Sequence, residues 1–215
     1  MKKVTAGLVI AGFLAMRPEV GHAALGDQKL KPEMQHAEVE DLQKILKQKG
    51  YFTYSGDTTT YYGTYTTDAV KKFQRDHGLT ADGETGNSTY KALGVFSKPA
   101  MVETAKKYEG TPYEWGGEDP DGFDCSGYLN YIFDEAAGID LPRTVKEMYG
   151  TGTSVSSPAV GDIVYYDIDG GGPSHAGVYI GNGKFMHSGS SNGVTTADMD
   201  SSYWAPKYEG AKRYR

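Results

Sequence analysis

The sequence predicts two folded units: a small bundle of three helices, then an α+β domain whose helices pack on an antiparallel sheet. In the first unit, apolar residues recur at helical spacing and a glycine follows each helical run. In the second, helical runs give way to short alternating strands, such as GDIVYYDI, HAGVYIG and GKFMHS, separated by turn residues. Helices followed by strands are typical of an α+β domain. The length of the chain after residue 23 suits one medium domain or two small ones.

The first 23 residues predict a signal peptide. Lys2 and Lys3 precede the apolar run VTAGLVIAGFLAM, which is too short for a stable membrane anchor. Gly21 and Ala23 put small residues three and one positions before a cut after Ala23. A buried N-terminal helix is the alternative. We therefore expect a secreted chain that starts near Ala24 and has no membrane span.

Composition narrows the classes of function. The net charge of −6 argues against a nucleic-acid partner. A single cysteine permits no internal disulfide, so in an oxidising compartment the thiol is buried and inert, bonded to another chain, or reactive. No zinc-binding pattern is present, and we expect neither a metal nor a cofactor. The oligomeric state stays open.

Three helices account for the first unit, between His36 and Leu93. Each is predicted from an apolar stripe and from the residues that begin or end it. These residues are Val39, Leu42, Ile45 and Leu46 before Gly50; a cap at Thr66 or Thr67, then Ala69, Val70 and Phe73 before Gly78; and Asn87 to Leu93 before Gly94.

Two stretches of this unit, VEDLQKILKQKGYF and TTDAVKKFQRDHGLTADGETGNSTYKAL, resemble the peptidoglycan-binding domain found beside many cell-wall hydrolases. The resemblance implies peptidoglycan as the partner, and a generic three-helix domain without a ligand is the alternative. Thr85 departs from the family, which usually has an apolar residue there. We assign residues 24–95 to this domain, 96–99 to a linker in which Pro99 can start the next helix, and 100–215 to the second domain.

Cys125 begins a helix of the second domain. Leu129 lies on the apolar stripe of that helix, Asp124 is a candidate N-cap, and Gly138 ends it. A cysteine in a first helical turn faces the positive end of the helix dipole, which favours the thiolate. The same residue also fits the apolar stripe as a structural cysteine, so the helix alone does not decide between the two roles.

Two histidines of this domain, His175 and His187, lie in strands joined by the hairpin sequence GNG. A two-residue loop would put their side chains on opposite faces of the sheet. A three-residue loop, with Gly183 in the left-handed conformation, would pair Gly177 with His187 and put both histidines on one face. We predict the second register because nucleophilic catalysis needs it.

With that geometry, the three residues take the roles of a catalytic triad. The Cys125 thiolate attacks a carbonyl, and His175 takes the thiol proton and delivers it to the leaving amine. His187 holds the His175 ring in place. The backbone N–H of Cys125 is the expected oxyanion donor. The alternative for each histidine is a structural role in its strand.

The same residues carry a second resemblance. The stretches TPYEWGGEDPDGFDCSGYLNYIF, LPRTV, VGDIVYYD, SHAGVYIGNGKFMHS and GAKRYR resemble the NlpC/P60 cysteine peptidases, which are papain-like in fold. The resemblance implies a cell-wall enzyme that cuts peptidoglycan stem peptides, usually after γ-linked D-glutamate and before diaminopimelate or lysine. It implies the same roles for Cys125, His175 and His187, and a substrate-binding role for Tyr113, Asp124 and Ser126.

Two features qualify this interpretation. Val145, Glu147 and Met148 stand where the family often has other residues near the substrate, so the preferred peptide can differ. The loop DIDGGGPS before His175 is longer and more acidic than expected, and we interpret it as a solvated turn. We interpret Trp115 as a packing residue. The competing functions are an N-acetylmuramoyl-L-alanine amidase and a catalytically inactive wall-binding protein.

Overall fold

A computed structural model describes residues 24–215 of the chain. The predicted signal peptide, residues 1–23, lies outside the described residues. Within residues 24–215, no helix has both the length and the apolar character needed to cross a bilayer.

The first unit contains α1 (Ala37–Gln48), α2 (Thr64–Asp76) and α3 (Asn87–Leu93). The predicted stripes form its core, since Leu42, Leu46, Val70 and Phe73 are fully buried together. Gly94 ends α3 in the left-handed conformation, with φ 75°, as predicted.

The predicted start of α2 is wrong. The helix begins at Thr64, after Gly63, and not at Thr66 or Thr67. The Thr66 hydroxyl is buried and accepts a hydrogen bond from Gln43 Nε2 at 2.8 Å, and the Thr67 hydroxyl donates to the Gly63 carbonyl at 3.1 Å. Because both hydroxyls are hydrogen-bonded to these partners, neither caps the helix, and Gly63 occupies the N-cap position.

The second unit contains α4 (Lys98–Lys107), α5 (Cys125–Ala137) and α6 (Val145–Thr151). Helix α4 begins inside the segment predicted as a linker, because the Ser97 hydroxyl accepts the Ala100 N–H and Pro99 fits the first turn. Thr144 and Glu147 form a reciprocal capping box at the start of α6.

All strand pairs of this unit are antiparallel. A small hairpin is formed by β1 (Glu118–Asp119) and β2 (Gly122–Phe123). The main sheet has the order β3-β8-β4-β5-β6-β7, with β3 (Thr153–Val155), β4 (Ile163–Tyr166), β5 (His175–Gly181), β6 (Lys184–Gly189), β7 (Gly193–Asp198) and β8 (Tyr208–Arg213). The α+β class is confirmed.

The two faces of the main sheet are covered differently. Val178 and Met186 on one face pack against the apolar stripe of α5, including Ile132 and Phe133. The other face, which carries Tyr166 and Phe185, packs against Trp204 just before a 3₁₀ turn at Ala205–Lys207. The sheet thus has a helix against one face and an aromatic cluster against the other.

The first unit contacts the far end of the helix that Cys125 begins. Lys91 of α3 donates its ammonium protons to the carbonyl oxygens of Asp134 and Glu135, at 2.6 and 3.1 Å. A cation at a helix C-terminus is favourable because the carbonyl groups there have no partner within the helix. The contact links the two units through α5.

Candidate active site

The hairpin between β5 and β6 puts both histidines on one face of the sheet. Val178 pairs with Met186 and Tyr179 with Phe185, and the same register sets Gly177 opposite His187, as predicted. The two imidazoles meet directly, with 2.9 Å between His175 Nε2 and His187 Nδ1.

The turn that produces this register differs from the prediction. Asn182 and Gly183 form a two-residue turn, with φ values of 55° and 69°, between the paired residues Gly181 and Lys184. A bulge between Tyr179 and Gly181 then inserts one unpaired residue, Ile180. Because one extra residue moves the following side chains to the opposite face, the bulge restores the register that a three-residue loop would have given.

The thiol lies beside the histidine strand. Cys125 is the first residue of α5, and the Asp124 carboxylate caps this helix by accepting the Gly127 N–H at 2.6 Å. The backbone N–H of Ala176, the residue after His175, lies close enough to the Cys125 sulfur to favour its thiolate form. Cys125, His175 and His187 line one cavity of about 1130 Å³. The sequence-predicted trio is therefore brought together at one surface.

The ionisation of the thiol differs from the expectation at a helix start. Burial and the neighbouring Asp124 carboxylate raise the pKa of Cys125 to about 11, although backbone N–H groups of Ala176, Ser126 and Cys125 oppose the shift. Desolvation of the sulfur outweighs the helix dipole because charge is costly in a weakly polar environment. The expectation of a depressed thiol pKa is wrong for the free protein.

Burial also keeps both histidines neutral. It lowers the pKa of His175 to about 3, with a smaller contribution from His187, and it lowers the pKa of His187 to about 4. At neutral pH the site therefore holds a thiol and two uncharged imidazoles. One ring of the histidine pair donates a proton to the other in their shared hydrogen bond.

Alkylation of Cys125 should report this neutral state. We expect the rate with iodoacetamide to be slow at pH 7 and to rise about tenfold per pH unit toward pH 11, since only the thiolate reacts. Mass spectrometry of the alkylated peptide over a series of pH values measures the rate. A fast rate that does not change between pH 6 and 8 would show a resting thiolate instead.

Arg143 is a site residue that the sequence analysis missed. Its guanidinium donates to Asp124 Oδ2 at 2.8 Å, to the Ser126 hydroxyl at 2.8 Å and to Glu118 Oε1 at 2.7 Å. Ser126 in turn donates to Asp124 Oδ1 at 2.9 Å. Although burial opposes the shift, the hydrogen bonds from Arg143, Gly127 and Ser126 lower the pKa of Asp124 and keep its carboxylate ionised. One signal in the sequence could have identified Arg143. It is the only charged residue of LPRTV, and it directly precedes the capping box of Thr144 and Glu147.

The other predicted substrate-binding residues also line the cavity. Ser126 is buried below Arg143. Tyr113 is half-buried, and its burial, with the neighbouring Cys125 and Asp124, raises its pKa. Trp115 is 89% exposed at the edge of this cavity, so the prediction that it packs in the interior is wrong. Its place at the edge follows from the turn that ends at Gly116, where φ is 77°.

The acidic loop before His175 is organised by its own backbone. The Asp167 carboxylate accepts the N–H groups of Asp169, Gly170 and Gly172, at 3.1, 2.6 and 3.0 Å. These bonds lower the pKa of Asp167 and occupy its oxygens. Across residues 24–215, no three His, Cys, Asp or Glu side chains are grouped as metal ligands.

Replacing Arg143 should test the hydrogen-bond network that joins its guanidinium to Asp124, Ser126 and Glu118. We expect Arg143→Lys to lower kcat/KM by about 10-fold or more, because an ammonium cannot bridge Asp124, Ser126 and Glu118 with the fork of a guanidinium. Thermal unfolding should be compared with cleavage kinetics on a soluble stem peptide, the substrate that the NlpC/P60 resemblance implies. Lys107→Arg, at a surface ion pair with Glu135, is the control. Unchanged kinetics in Arg143→Lys would show that the fork is dispensable.

The chain matches two family models, the NlpC/P60 family over residues 110–213 and a putative peptidoglycan binding domain over residues 35–93. The probable peptidoglycan endopeptidase LytE of Bacillus subtilis is 35% identical over 186 residues, which cover 76% of this chain and 55% of LytE. The gamma-DL-glutamyl hydrolase of the same organism is 40% identical over 118 residues, which cover 53% of this chain and 29% of that protein. The chain thus spans about half the length of LytE.

Among solved structures, an NlpC/P60 family protein from Bacillus cereus is similar, with a TM-score of 0.52 and 30% identity. The similarity covers 55% of this chain and 40% of that one.

Proposed function

Because the chain belongs to the NlpC/P60 family, we propose that it is a cysteine endopeptidase that hydrolyses the stem peptides of bacterial cell-wall peptidoglycan. The observation that carries the proposal is that Cys125 lines the same cavity as the hydrogen-bonded pair His175 and His187. The similarity to LytE, a probable peptidoglycan endopeptidase, supports the same substrate class.

The proposed reaction begins with the neutral thiol. As the Cys125 sulfur attacks the scissile carbonyl carbon, its proton passes to the imidazole of His175, so that a thiolate never has to persist in the buried site. The carbonyl oxygen becomes an oxyanion at the start of α5. There the backbone N–H of Cys125 is a suitable donor, since the first N–H groups of a helix have no partner within the helix.

Collapse of the tetrahedral intermediate breaks the carbon–nitrogen bond. His175 returns the proton to the leaving amine, and the acyl group remains as a thioester on Cys125. Water then attacks the thioester carbonyl and gives one proton to His175. The second collapse breaks the carbon–sulfur bond, His175 returns its proton to the sulfur, and the released carboxylic acid loses its remaining proton to the solvent. His187 stays neutral throughout and fixes the orientation of the His175 ring through the 2.9 Å bond.

We propose the bond after γ-linked D-glutamate, before diaminopimelate or lysine, as the site of cleavage. The family resemblance and the name of the gamma-DL-glutamyl hydrolase relative support this choice. Lys146 also lines the cavity. Its ammonium group suits the free α-carboxylate that a γ-linked glutamate carries next to the scissile bond.

The first unit is proposed to hold the enzyme on its polymer. It matches a putative peptidoglycan binding domain, and tethering raises the local concentration of catalytic sites around stem peptides. Secretion through the signal peptide at residues 1–23 and location at the cell wall complete the proposal.

A digest of defined muropeptides tests the proposal. We expect mass spectrometry to find products with a new terminal amine on diaminopimelate or lysine and a new carboxylate on D-glutamate. A new amine on L-alanine would instead identify an amidase. Sedimentation of the protein with purified walls, without release of any fragment by an excess of folded enzyme, would identify a wall-binding protein and contradict the proposal.

A further inference from the structure

Trp204 covers the histidine pair from the side opposite α5. Its ring stacks on that of His175, with 5.3 Å between centroids and 23° between planes. It meets the His187 ring edge to face at 5.0 Å. Trp204 also lines the cavity that contains Cys125. One side chain therefore contacts both imidazoles and borders the path of the substrate.

The surroundings of Trp204 hold its ring in this place. It packs edge to face on Phe185 at 5.2 Å and lies against Tyr166 at 4.7 Å. Its backbone N–H donates to the Ser201 hydroxyl at 3.3 Å, and its carbonyl accepts the Lys207 N–H at 3.0 Å. A ring fixed by packing and by backbone bonds is suited to orient its neighbours.

We propose that Trp204 is a positioning residue of the peptidase, which fixes the His175 ring by stacking and excludes water from its hydrogen bond with His187. The inference rests on the proposed function, because it assumes that His175 is the base. Water admitted at this face would compete for the two ring nitrogens and would solvate a charged imidazolium. The expected consequences are a misoriented base and a more basic imidazole.

The other titratable groups around His175 and His187 do not account for the low pKa values of the pair. Cys125 and its neighbour Asp124 lie at the start of α5, and Tyr113 and Asp169 border the same cavity. Tyr166 lies on β4, and Tyr203 precedes Trp204 in the chain. The Asp124 charge is balanced by Arg143 at 2.8 Å. Among the described residues, burial is the main cause that lowers the pKa of both histidines, and Trp204 supplies much of the ring contact that buries them.

The test compares Trp204→Ala, Trp204→Phe and the control Val178→Ala. Val178 is buried on the same strand as His175 but on the opposite face, so its truncation loosens the packing without opening the histidine pair. We expect Trp204→Ala to lower kcat on a soluble stem peptide by about 10- to 100-fold with KM little changed, since small misplacements of a catalytic group cost about this much. Trp204→Phe should recover most of the rate, and Val178→Ala should stay near wild type.

The second readout is the titration of the histidines by NMR in the full chain carrying Cys125→Ala. We expect the His175 pKa to rise by more than one unit in Trp204→Ala, toward the ordinary histidine value, and to stay low with Trp204→Phe or Val178→Ala. The acid limb of kcat/KM should rise with it. If Trp204→Ala loses stability and rate but leaves the pKa and the acid limb in place, Trp204 only fills space and the inference is wrong.

The two proposals fail in different ways. The NMR titration does not need an active enzyme, so it tests the contact between Trp204 and the histidines directly. Cleavage by a protein that lacks the thiol would remove the peptidase mechanism and leave the titration result unaffected.

Discussion

Cys125→Ala is expected to abolish the release of stem-peptide fragments from purified walls, with a loss of at least about 10⁴-fold in kcat. In the proposed mechanism the sulfur forms the acyl intermediate, and the sequence has no second cysteine to replace it. Binding to walls should persist, because α1, α2 and α3 have a core of their own, separate from that around α5. Fragment release is measured by mass spectrometry, and binding is measured by co-sedimentation.

Cys125→Ser is the matched variant for this prediction. It keeps a polar atom of similar size at the start of α5, so the fold should be preserved. A hydroxyl is a much weaker acid than a thiol, and His175, whose pKa is lowered to about 3, is too weak a base to take its proton readily. We therefore expect Cys125→Ser to be as inactive as Cys125→Ala. Full activity in either variant would contradict the assignment of the nucleophile.

His175→Ala is expected to lower kcat by roughly 10²- to 10⁴-fold, the usual contribution of a general base. The proton of the neutral thiol then has no acceptor at the site. His187→Ala should cost less, because His187 acts only through its 2.9 Å bond to His175. Steady-state kinetics on one soluble stem peptide measure the loss of kcat in each variant. An equal loss in both would contradict the assignment of His175 as the base and His187 as the residue that orients it.

The pH profile adds a direct check of His175. Its pKa is lowered to about 3, so the base is neutral at every higher pH, and kcat/KM should fall only when the pH approaches that value. His187→Asn is the matched control, since the asparagine amide keeps a polar partner for the His175 ring. A wild-type acid limb near pH 6.5 would instead mean that His175 is solvated and titrates normally.

Acidification also weakens the fold through these histidines. In the unfolded chain they take up protons below about pH 6.5, whereas in the folded protein they resist until about pH 3 and 4. Stability is therefore unaffected above pH 7 and falls as the pH drops from 6.5 toward 4. Each histidine contributes roughly 1.4 kcal/mol per pH unit in that interval. The proposed base His175 should stay competent in mild acid only as long as the fold survives.

Local signals determined most of the elements. The apolar stripe of α5, the cap at Asp124 and the left-handed Gly138 depend on neighbours within one or two turns, and each was predicted. The start of α2 was not, because Thr66 bonds to Gln43 on another helix. A cap can be identified from sequence only when its hydroxyl has no more distant partner.

The sequence by itself determined the α+β class, the three residues of the proposed triad and the faces on which the helices pack, because these follow from residue type and short-range periodicity. The tertiary structure alone decided the hairpin register, through the bulge at Ile180, and the network of Arg143 with Asp124 and Ser126. It also decided the ionisation of the thiol and the histidines, because their burial shifts their pKa values. The burial of a side chain depends on atoms from segments that are far apart in the sequence, so a local sequence pattern cannot predict it.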